Sequence, residues 1–286
     1  MYNEDWLLAQ GHTACAGCGS AIAIKLALDA LGKDIMVVNA TGCSEIYTTP
    51  YPRSAFRVPY IHSLFENVPA VASGIAKALE VQGNDHTKVV CIAGDGSTYD
   101  IGFGSLSGMF ERNDNVLYIC YDNEAYMNTG VQRSSATPLL ANTTTSQVGK
   151  KIHGKEQIKK PIVDIAAAHR IPYAASTSIG YHADLQRKVK KAAQIKGARF
   201  INIHQPCTLG WRYESQLTVQ IARMAVECGL WKMYEVEDFG KKVTVNMQPK
   251  FTPVAEYLKL QRRFRHLTDT EIQEIQKRVN EEWSKG

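Results

Sequence analysis

The 286-residue sequence has no uninterrupted apolar run approaching a membrane span, and its start, Met1-Tyr-Asn-Glu-Asp-Trp6, lacks the basic and apolar segments of a secretion signal. Both absences lead to the expectation of a cytoplasmic protein with no membrane partner. No block of five like charges occurs, and the net charge of +5 is small, so nucleic acid is not demanded as a ligand. The densest basic stretch, Lys259–His266, reads as a solvated face near the end of the chain. No internal repeat or low-complexity tract is found, which sets aside solenoids and disordered tails. No G-x-x-x-x-G-K-[ST] occurs. Gly102-Phe-Gly-Ser-Leu-Ser-Gly108 is not G-x-G-x-x-G and follows no strand immediately, so the common nucleotide-phosphate loops are excluded.

What is present is an ordinary globular composition, 44% apolar and 21% charged, enough for one large α/β domain with an extension. Apolar runs at Ile35–Asn39, Lys88–Ala93, Val116–Tyr121, Tyr173–Ser176 and Phe200–His204 read as strands. Helical patterns at Ala21–Leu31, Pro69–Val81, Ser105–Glu111, Ala183–Ile195 and Leu217–Glu227 alternate with them. That rhythm predicts a doubly wound, mostly parallel sheet with helices on both faces. The long polar segment Asn123–Pro161 is expected to be a functional loop. After Trp231 the pattern changes to a strand at Lys232–Val236, a stretch with Pro249 and Pro253, and a charged helix over Asp269–Trp283. A core domain over residues 1–230 and an extension over 231–286, packing on the domain or on a partner, follow.

Gly94-Asp95-Gly96 stands directly after the apolar strand Val89–Ala93. Parallel sheets bind ligands outside the carboxyl ends of their strands. Glycines on both sides of Asp95 permit a sharp turn and close approach to a bulky anion, and a helix starting near Ile101 would aim its N–H groups there. Asp95 adds a hard carboxylate of the kind magnesium shares with phosphates. Asn123 lies 28 positions after Asp95, at the end of the next strand, so both can converge on one metal.

Seven cysteines in a cytosolic chain point to metal or redox chemistry rather than disulfides. Cys15-Ala-Gly-Cys18-Gly19 is a single CxxC, and Gly17 and Gly19 allow a turn whose N–H groups face an anionic centre. Such a pair serves as a thioredoxin-like dithiol, half a zinc site or half a cluster site. The first lacks its aromatic context here, and the second usually takes another close Cys or His pair, which is absent. Cys91, Cys120 and Cys228 fall in apolar strand or helix patterns and read as small core residues. Cys43 and Cys207 each follow a strand in a Gly- or Pro-marked turn, on the same rim as Asp95, where they can complete a four-thiolate shell around a 4Fe–4S cluster.

In these motifs the sequence resembles the 2-oxoacid:ferredoxin oxidoreductases, in particular the separate β subunit of the pyruvate synthase type. The resemblance rests on Cys15-x-x-Cys18, Cys43 and the distant Pro206-Cys207, and on the Gly-Asp-Gly and Asn spacing. Thr49-Pro-Tyr-Pro52, Phe65-Glu-Asn67 and Tyr126-Met-Asn-Thr-Gly130 add to it, and the likeness runs from about residue 10 to about residue 230. It implies a thiamine diphosphate-binding fold. It implies Asp95, the Asn123 side chain and the Ala125 carbonyl as Mg2+ ligands, with Gly94, Gly96, Ser97, Gly19 and Cys43 also touching the cofactor. It implies Cys15, Cys18, Cys43 and Cys207 as ligands of one 4Fe–4S cluster, and Asn128 facing the substrate. Ser20 stands where some relatives carry an acidic residue.

The activity implied is reversible, coenzyme A-dependent oxidative decarboxylation of a 2-oxoacid such as pyruvate, with electrons passed singly to ferredoxin. The implied partners are an α subunit carrying the pyrimidine-binding domain and γ/δ subunits or domains with further 4Fe–4S clusters. The chain itself has no ferredoxin-type C-x2-C-x2-C-x3-C run. By the same resemblance the glutamate that activates thiamine sits on another subunit, so Glu66 is left to stabilise a helix beginning near Asn67. His62 is expected to pack or cap near that helix start, and His12 is a further candidate.

Thr137-Pro-Leu-Leu-Ala-Asn142 departs from the small or aromatic residues expected after Thr-Pro in pyruvate relatives. With that loop expected near the site, a branched-chain 2-oxoacid or oxalate stays open as substrate. A non-redox thiamine diphosphate decarboxylase or synthase would use Asp95 and Asn123 but leave the cysteines unexplained. A zinc-structured binding protein would explain the cysteines but not the Asp95–Asn123 pair.

Overall fold

Short apolar runs buried on both faces build the centre of the protein, whose structure, a computed structural model, describes residues 6–284. Met1–Asp5, most of the stretch read above as lacking a secretion signal, lie outside the described residues. The strands are β1 (Ile35–Ala40), β2 (Tyr60–Ser63), β3 (Lys88–Gly94), β4 (Val116–Asp122), β5 (Tyr173–Ser178), β6 (Arg199–His204), β7 (Tyr234–Glu237) and β8 (Lys242–Val245). They form one sheet in the order β2-β1-β3-β4-β6-β5-β7-β8. The first six run parallel, and β7 and β8 add an antiparallel edge.

The helices are α1 (Gly19–Leu31), α2 (Cys43–Thr48), α3 (Val68–Val81), α4 (Phe103–Glu111), α5 (Ile162–Ala168), α6 (His182–Gln194), α7 (Thr208–Trp211), α8 (Thr218–Glu227), α9 (Val254–Lys259) and α10 (Asp269–Ser284). On one face, α1 and α6 cover Val37, Val90, Ile119 and Ile201. On the other, α3, α4 and α5 cover Val38, Val89, Cys91, Tyr118 and Phe200. Each fully buried aliphatic side chain in these layers contributes roughly 1.5–3 kcal/mol over an exposed one. Cys91, Cys120 and Cys228 are buried, as read from the sequence. Among the described residues no helix is long and apolar enough to cross a membrane.

Residues on both sides of position 231 share a third core, in which Trp211, Ile221 and Val226 pack with Tyr257, Phe264, Ile275 and Val279.

The structure corrects several expectations. The helix expected near Ile101 is preceded by a π-helical turn, Gly96–Ile101, that starts directly after Asp95, a geometry often found at functional sites. The Lys259–His266 run is not wholly a solvated face, because Arg263 is 5% exposed and makes a buried ion pair. His62 neither caps nor packs at a helix start. It lies exposed on the edge strand β2, with Nε2 3.3 Å from Thr41 Oγ1. Cys43 sits not in an open turn but on the first residue of α2.

Candidate active site

Four neighbouring strands, β1, β3, β4 and β6, end on one rim. At about 4.8 Å per strand they span roughly 15 Å. Their ends deliver Thr41–Cys43, Asp95–Ser97, Asn123–Ala125 and Gln205–Cys207. The chain moves outward from β1 to β2 and in the opposite direction from β3 to β4, so the crevice between β1 and β3 is the sheet's topological switch point. A cavity opens there, lined by Thr41, Gly42, Cys43, Gly94, Asp95, Gly96, Ser97, Tyr121, Asn123, Ala125, Asn128 and neighbours. Asn128 is exposed at its mouth. Gly19, Cys15, Cys18 and Cys207 lie outside the cavity wall. Gly19 is backed instead against the Gln205-Pro206 segment, where a Cβ would stand 2.5 Å from the Pro206 carbonyl.

Three oxygen-bearing groups meet in the cavity. When the Asn123 amide is turned to satisfy its neighbours, its nitrogen donates to the Ala125 carbonyl at 2.7 Å and to Asp95 Oδ1 at 2.9 Å. In the opposite orientation its oxygen faces those same two oxygens. The backbone N–H of Asn123 donates to Asp95 Oδ1 (3.4 Å), and Ser134 Oγ donates to Asp95 Oδ2 (2.5 Å). Asp95 is buried, and burial followed by the charge of Asp122 pushes its carboxyl well above the usual range. A divalent cation would oppose both effects. An aspartate, an amide oxygen and a carbonyl on one point suit the oxygen preference of magnesium. Gly96 gives the room: a Cβ there would lie 2.3 Å from the Tyr126 ring, whose hydroxyl donates to the Gly96 carbonyl at 2.9 Å. The Ser97 hydroxyl donates to the carbonyl of Phe65, another residue of the cavity wall.

Beneath this cluster lies a buried charge network that the sequence did not disclose. Lys159 Nζ contacts Asp122 Oδ2 (2.8 Å) and Glu124 Oε1 (3.0 Å), and Arg263 Nη2 donates to Glu124 Oε2 (2.7 Å). Tyr99 Oη donates to Asp122 Oδ2 (2.6 Å). Burial pushes the Glu124 carboxyl up, but Lys159 and Arg263 more than offset this and hold it at about 2. His204, its ring 4.5 Å from that of Trp231 and tilted by 33°, is buried without a partner at Nδ1, and burial lowers it to about 3. The only signal in the sequence was the adjacency of Asp122 and Glu124 to Asn123. Lys159 and Arg263 arrive from 35 and 139 residues away.

The cysteines approach one another from three segments. Cys18 caps α1, Cys43 opens α2 and Cys207 caps α7, so three thiols stand at helix starts. Cys207 Sγ accepts from the Gly210 N–H at 3.4 Å, and Cys18 Sγ lies 3.2 Å from Ser20 Oγ, itself 3.1 Å from Tyr47 Oη. The CxxC turn is pressed toward the Cys207 segment, with Thr218 Oγ1 donating to the Gly17 carbonyl at 2.7 Å. Burial, then the fields of Cys207, Cys18, Asp95 and Cys15, raises the Cys43 thiol. Burial pushes Cys207 up to about 11, with Cys18 and Cys15 adding to it. Thiols within each other's field do not ionise together without cations among them, and metal ligation releases those protons. Among the described residues no three His, Cys, Asp or Glu gather tightly enough for one metal ion. A lone zinc would draw thiolates to about 2.3 Å, whereas a four-iron cluster takes them at four separate corners.

Other candidate residues stand outside the cavity wall. Glu66 is exposed, and its backbone carbonyl, not its carboxylate, accepts from Ser105 Oγ (2.5 Å). His12 Nδ1 accepts from the Ala14 N–H at 3.4 Å. None of Thr137–Asn142, expected near the substrate, lines the cavity. Leu140 and Ala141 pack in the third core, and Thr137 Oγ1 donates to the Glu124 carbonyl at 2.6 Å.

Residues 40–203 match the family described as thiamine pyrophosphate enzyme, C-terminal TPP binding domain. The pyruvate synthase subunit PorB of Methanothermobacter thermautotrophicus is 51% identical over 278 residues, covering 97% of this chain and 96% of the relative. The ketoisovalerate oxidoreductase subunit VorB of Pyrococcus abyssi is 45% identical over 281 residues, covering 96% and 90%. The solved structure of a 2-oxoglutarate:ferredoxin oxidoreductase from Magnetococcus marinus, with 2-oxoglutarate, coenzyme A and succinyl-CoA bound, aligns over 96% of both chains with a TM-score of 0.61. At 20% identity that likeness shows a shared fold.

Proposed function

The chain belongs to the thiamine diphosphate-dependent 2-oxoacid:ferredoxin oxidoreductase family as a pyruvate synthase-type subunit, and from that premise we propose that its substrate is pyruvate and that it holds Mg2+ and one 4Fe–4S cluster. The reaction converts a 2-oxoacid and coenzyme A to acyl-CoA and CO2, and two ferredoxins each accept one electron. The observation that carries the reading is the convergence of Asp95, Asn123 and Ala125 on the rim that also presents Cys43 and Cys207.

Asp95, the Asn123 amide oxygen and the Ala125 carbonyl would bind magnesium, with Gly94, Gly96 and Ser97 forming the wall beside the diphosphate. Thiamine diphosphate, when bound, supplies the carbanion and stores the electron pair released as CO2 leaves. Cys15, Cys18, Cys43 and Cys207 would ligate the cluster that accepts those electrons. Cys43 would stand between the two centres, since it lines the cavity and also lies in the field of Cys207, Cys18 and Cys15. Asn128, at the mouth, would donate its amide to substrate. The neutral His204 and the charge network behind the metal loop exclude water and fix the turn. The chain works with partner subunits, which we assign as an α subunit bearing the pyrimidine end and γ/δ subunits or domains carrying electrons to ferredoxin.

A branched-chain 2-oxoacid is the second reading, because a ketoisovalerate oxidoreductase relative is nearly as similar as the pyruvate synthases. The test is anaerobic purification of the native complex, then viologen reduction with a panel of 2-oxoacids with and without coenzyme A. Pyruvate should give the highest kcat/KM and require coenzyme A for full turnover. Preference for 2-oxoisovalerate would select the second reading. Absence of iron would refute the cluster and leave a non-redox thiamine enzyme.

A further inference from the structure

The segment after residue 231 touches the metal loop through one charged side chain. Arg263, between α9 and α10, donates from Nη2 to Glu124 Oε2 at 2.7 Å. Its guanidinium lies 3.6 Å over the Trp211 ring, and Nε donates to Gln261 Oε1 at 2.9 Å. Glu124 is the residue between Asn123 and Ala125, and its φ of +68° lies in the left-handed region. Asn123 and Ala125 line the cavity, whereas Glu124 does not. The turn is held from several sides: Glu124 N–H donates to Asp122 Oδ1 (3.0 Å), and Trp211 Nε1 donates to the Asn123 carbonyl (2.8 Å).

We propose that Arg263 and Glu124 form a clamp by which the C-terminal segment sets the Asn123–Ala125 turn in its magnesium-binding conformation. Arg263 is thus a positioning residue for thiamine diphosphate and Mg2+. The inference rests on Asp95, Asn123 and Ala125 being the magnesium ligands. Two arguments support it. A non-glycine residue persists in the left-handed region only where its surroundings over-determine it. A buried ion pair adds little net stability over a well-packed apolar pair, because desolvation offsets its attraction, so its worth here is the geometry it specifies. Trp211 couples the two ends of the clamp, since its ring carries Arg263 while its N–H holds the Asn123 carbonyl.

The experiment compares Arg263→Met, Glu124→Gln and the double variant in the assembled complex. It measures the Mg2+ concentration that half-saturates thiamine diphosphate retention, together with iron content and thermal unfolding. Arg263→Met leaves Glu124 short of one cation and should lower the unfolding temperature and raise the half-saturating Mg2+ at least tenfold, with iron unchanged. The double variant removes both charges of the pair. It should recover the unfolding temperature while keeping the weakened Mg2+ response. Recovery of both together, or a half-saturating Mg2+ within twofold of wild type in every folded variant, would overturn the clamp. Where Arg263→Met fails to accumulate, the double variant decides alone. Asp95→Ala tests the underlying assignment separately: full magnesium and thiamine retention there removes the premise, whatever Arg263 does.

Discussion

The two ends of the rim are built differently. The oxygen end is set on consecutive strand ends, β3 and β4, and backed by buried partners: Ser134 on Asp95, Lys159 and Arg263 on Glu124, Trp211 on the Asn123 carbonyl. The sulfur end is gathered from α1, α2 and α7, and Cys15 on its turn is exposed. The difference teaches where the binding energy of each group is spent. A pocket of pre-placed oxygens loses little order when a cation arrives. Burial and the neighbouring cysteines raise the thiols of Cys43 and Cys207, so at this end a metal would itself complete the site, and ligation and loop ordering would be one event.

The comparison breaks most sharply if one end cannot be emptied without the other. Asp95→Ala should lose thiamine diphosphate and magnesium while iron stays, and Cys15→Ala should do the reverse. Metal analysis and thiamine stoichiometry on the purified complex decide it, and loss of both cofactors in either variant ends the idea of two separable ends.

Backbone room gives the next effect. A Cβ on Gly96 meets the Tyr126 ring at 2.3 Å, and a Cβ on Gly17 meets the Ser215 carbonyl at 2.2 Å with φ at +67°. Each alanine variant should cost about 1–3 kcal/mol of overpacking. Gly96→Ala should weaken thiamine retention, whereas Gly17→Ala should lower iron content; thermal unfolding with both assays checks this, and equal losses of both cofactors would contradict it.

Acid should reach the oxygen end through groups buried behind it. His204 is held at about 3 against its ordinary 6.5, so between those values the unfolded chain binds a proton that the folded chain refuses. Stability from this group is complete above pH 6.5 and falls as pH drops toward 3, at about 1.4 kcal/mol per pH unit. Glu124, depressed to about 2 from 4.5, adds a loss of the same sign below pH 4.5. His204→Phe should flatten the decline between pH 6.5 and 4.5 and leave the lower limb. Urea unfolding at stepped pH measures it, and an unchanged upper limb would rule it out.

The smallest effect belongs to the sulfur end. Ser20 Oγ lies 3.2 Å from Cys18 Sγ, and hydrogen bonds to ligating sulfurs raise cluster potentials. Ser20→Ala should shift the midpoint modestly to more negative values with iron content intact, read by an EPR-monitored redox titration. A shift in the positive direction would show that this hydroxyl does not donate to the sulfur.

The strands, the main helices, the Asp95–Asn123 pair and the CxxC were legible because each is written in local spacing. Apolar runs alternating with helical patterns, a glycine-flanked carboxylate after a strand, and two thiols on one turn need no distant neighbour to be recognised. Strands β2 and β8 escaped notice because both are short edge strands with weak apolar signal. The role of Arg263 was misread because a basic run looks solvated until the fold shows which of its members is buried.

By itself the sequence determined the alternating α/β rhythm, the candidate oxygen ligands one crossover apart and the chemical nature of the candidate sulfur ligands. Only the tertiary structure decided that Thr137–Asn142 leaves the cavity, that Gly19 backs onto Pro206, and that Lys159 and Arg263 neutralise Glu124. The reason is range. Hydrogen-bonding and burial preferences act over a few residues, whereas a buried charge finds its partner through the packing of segments that chain order does not bring together.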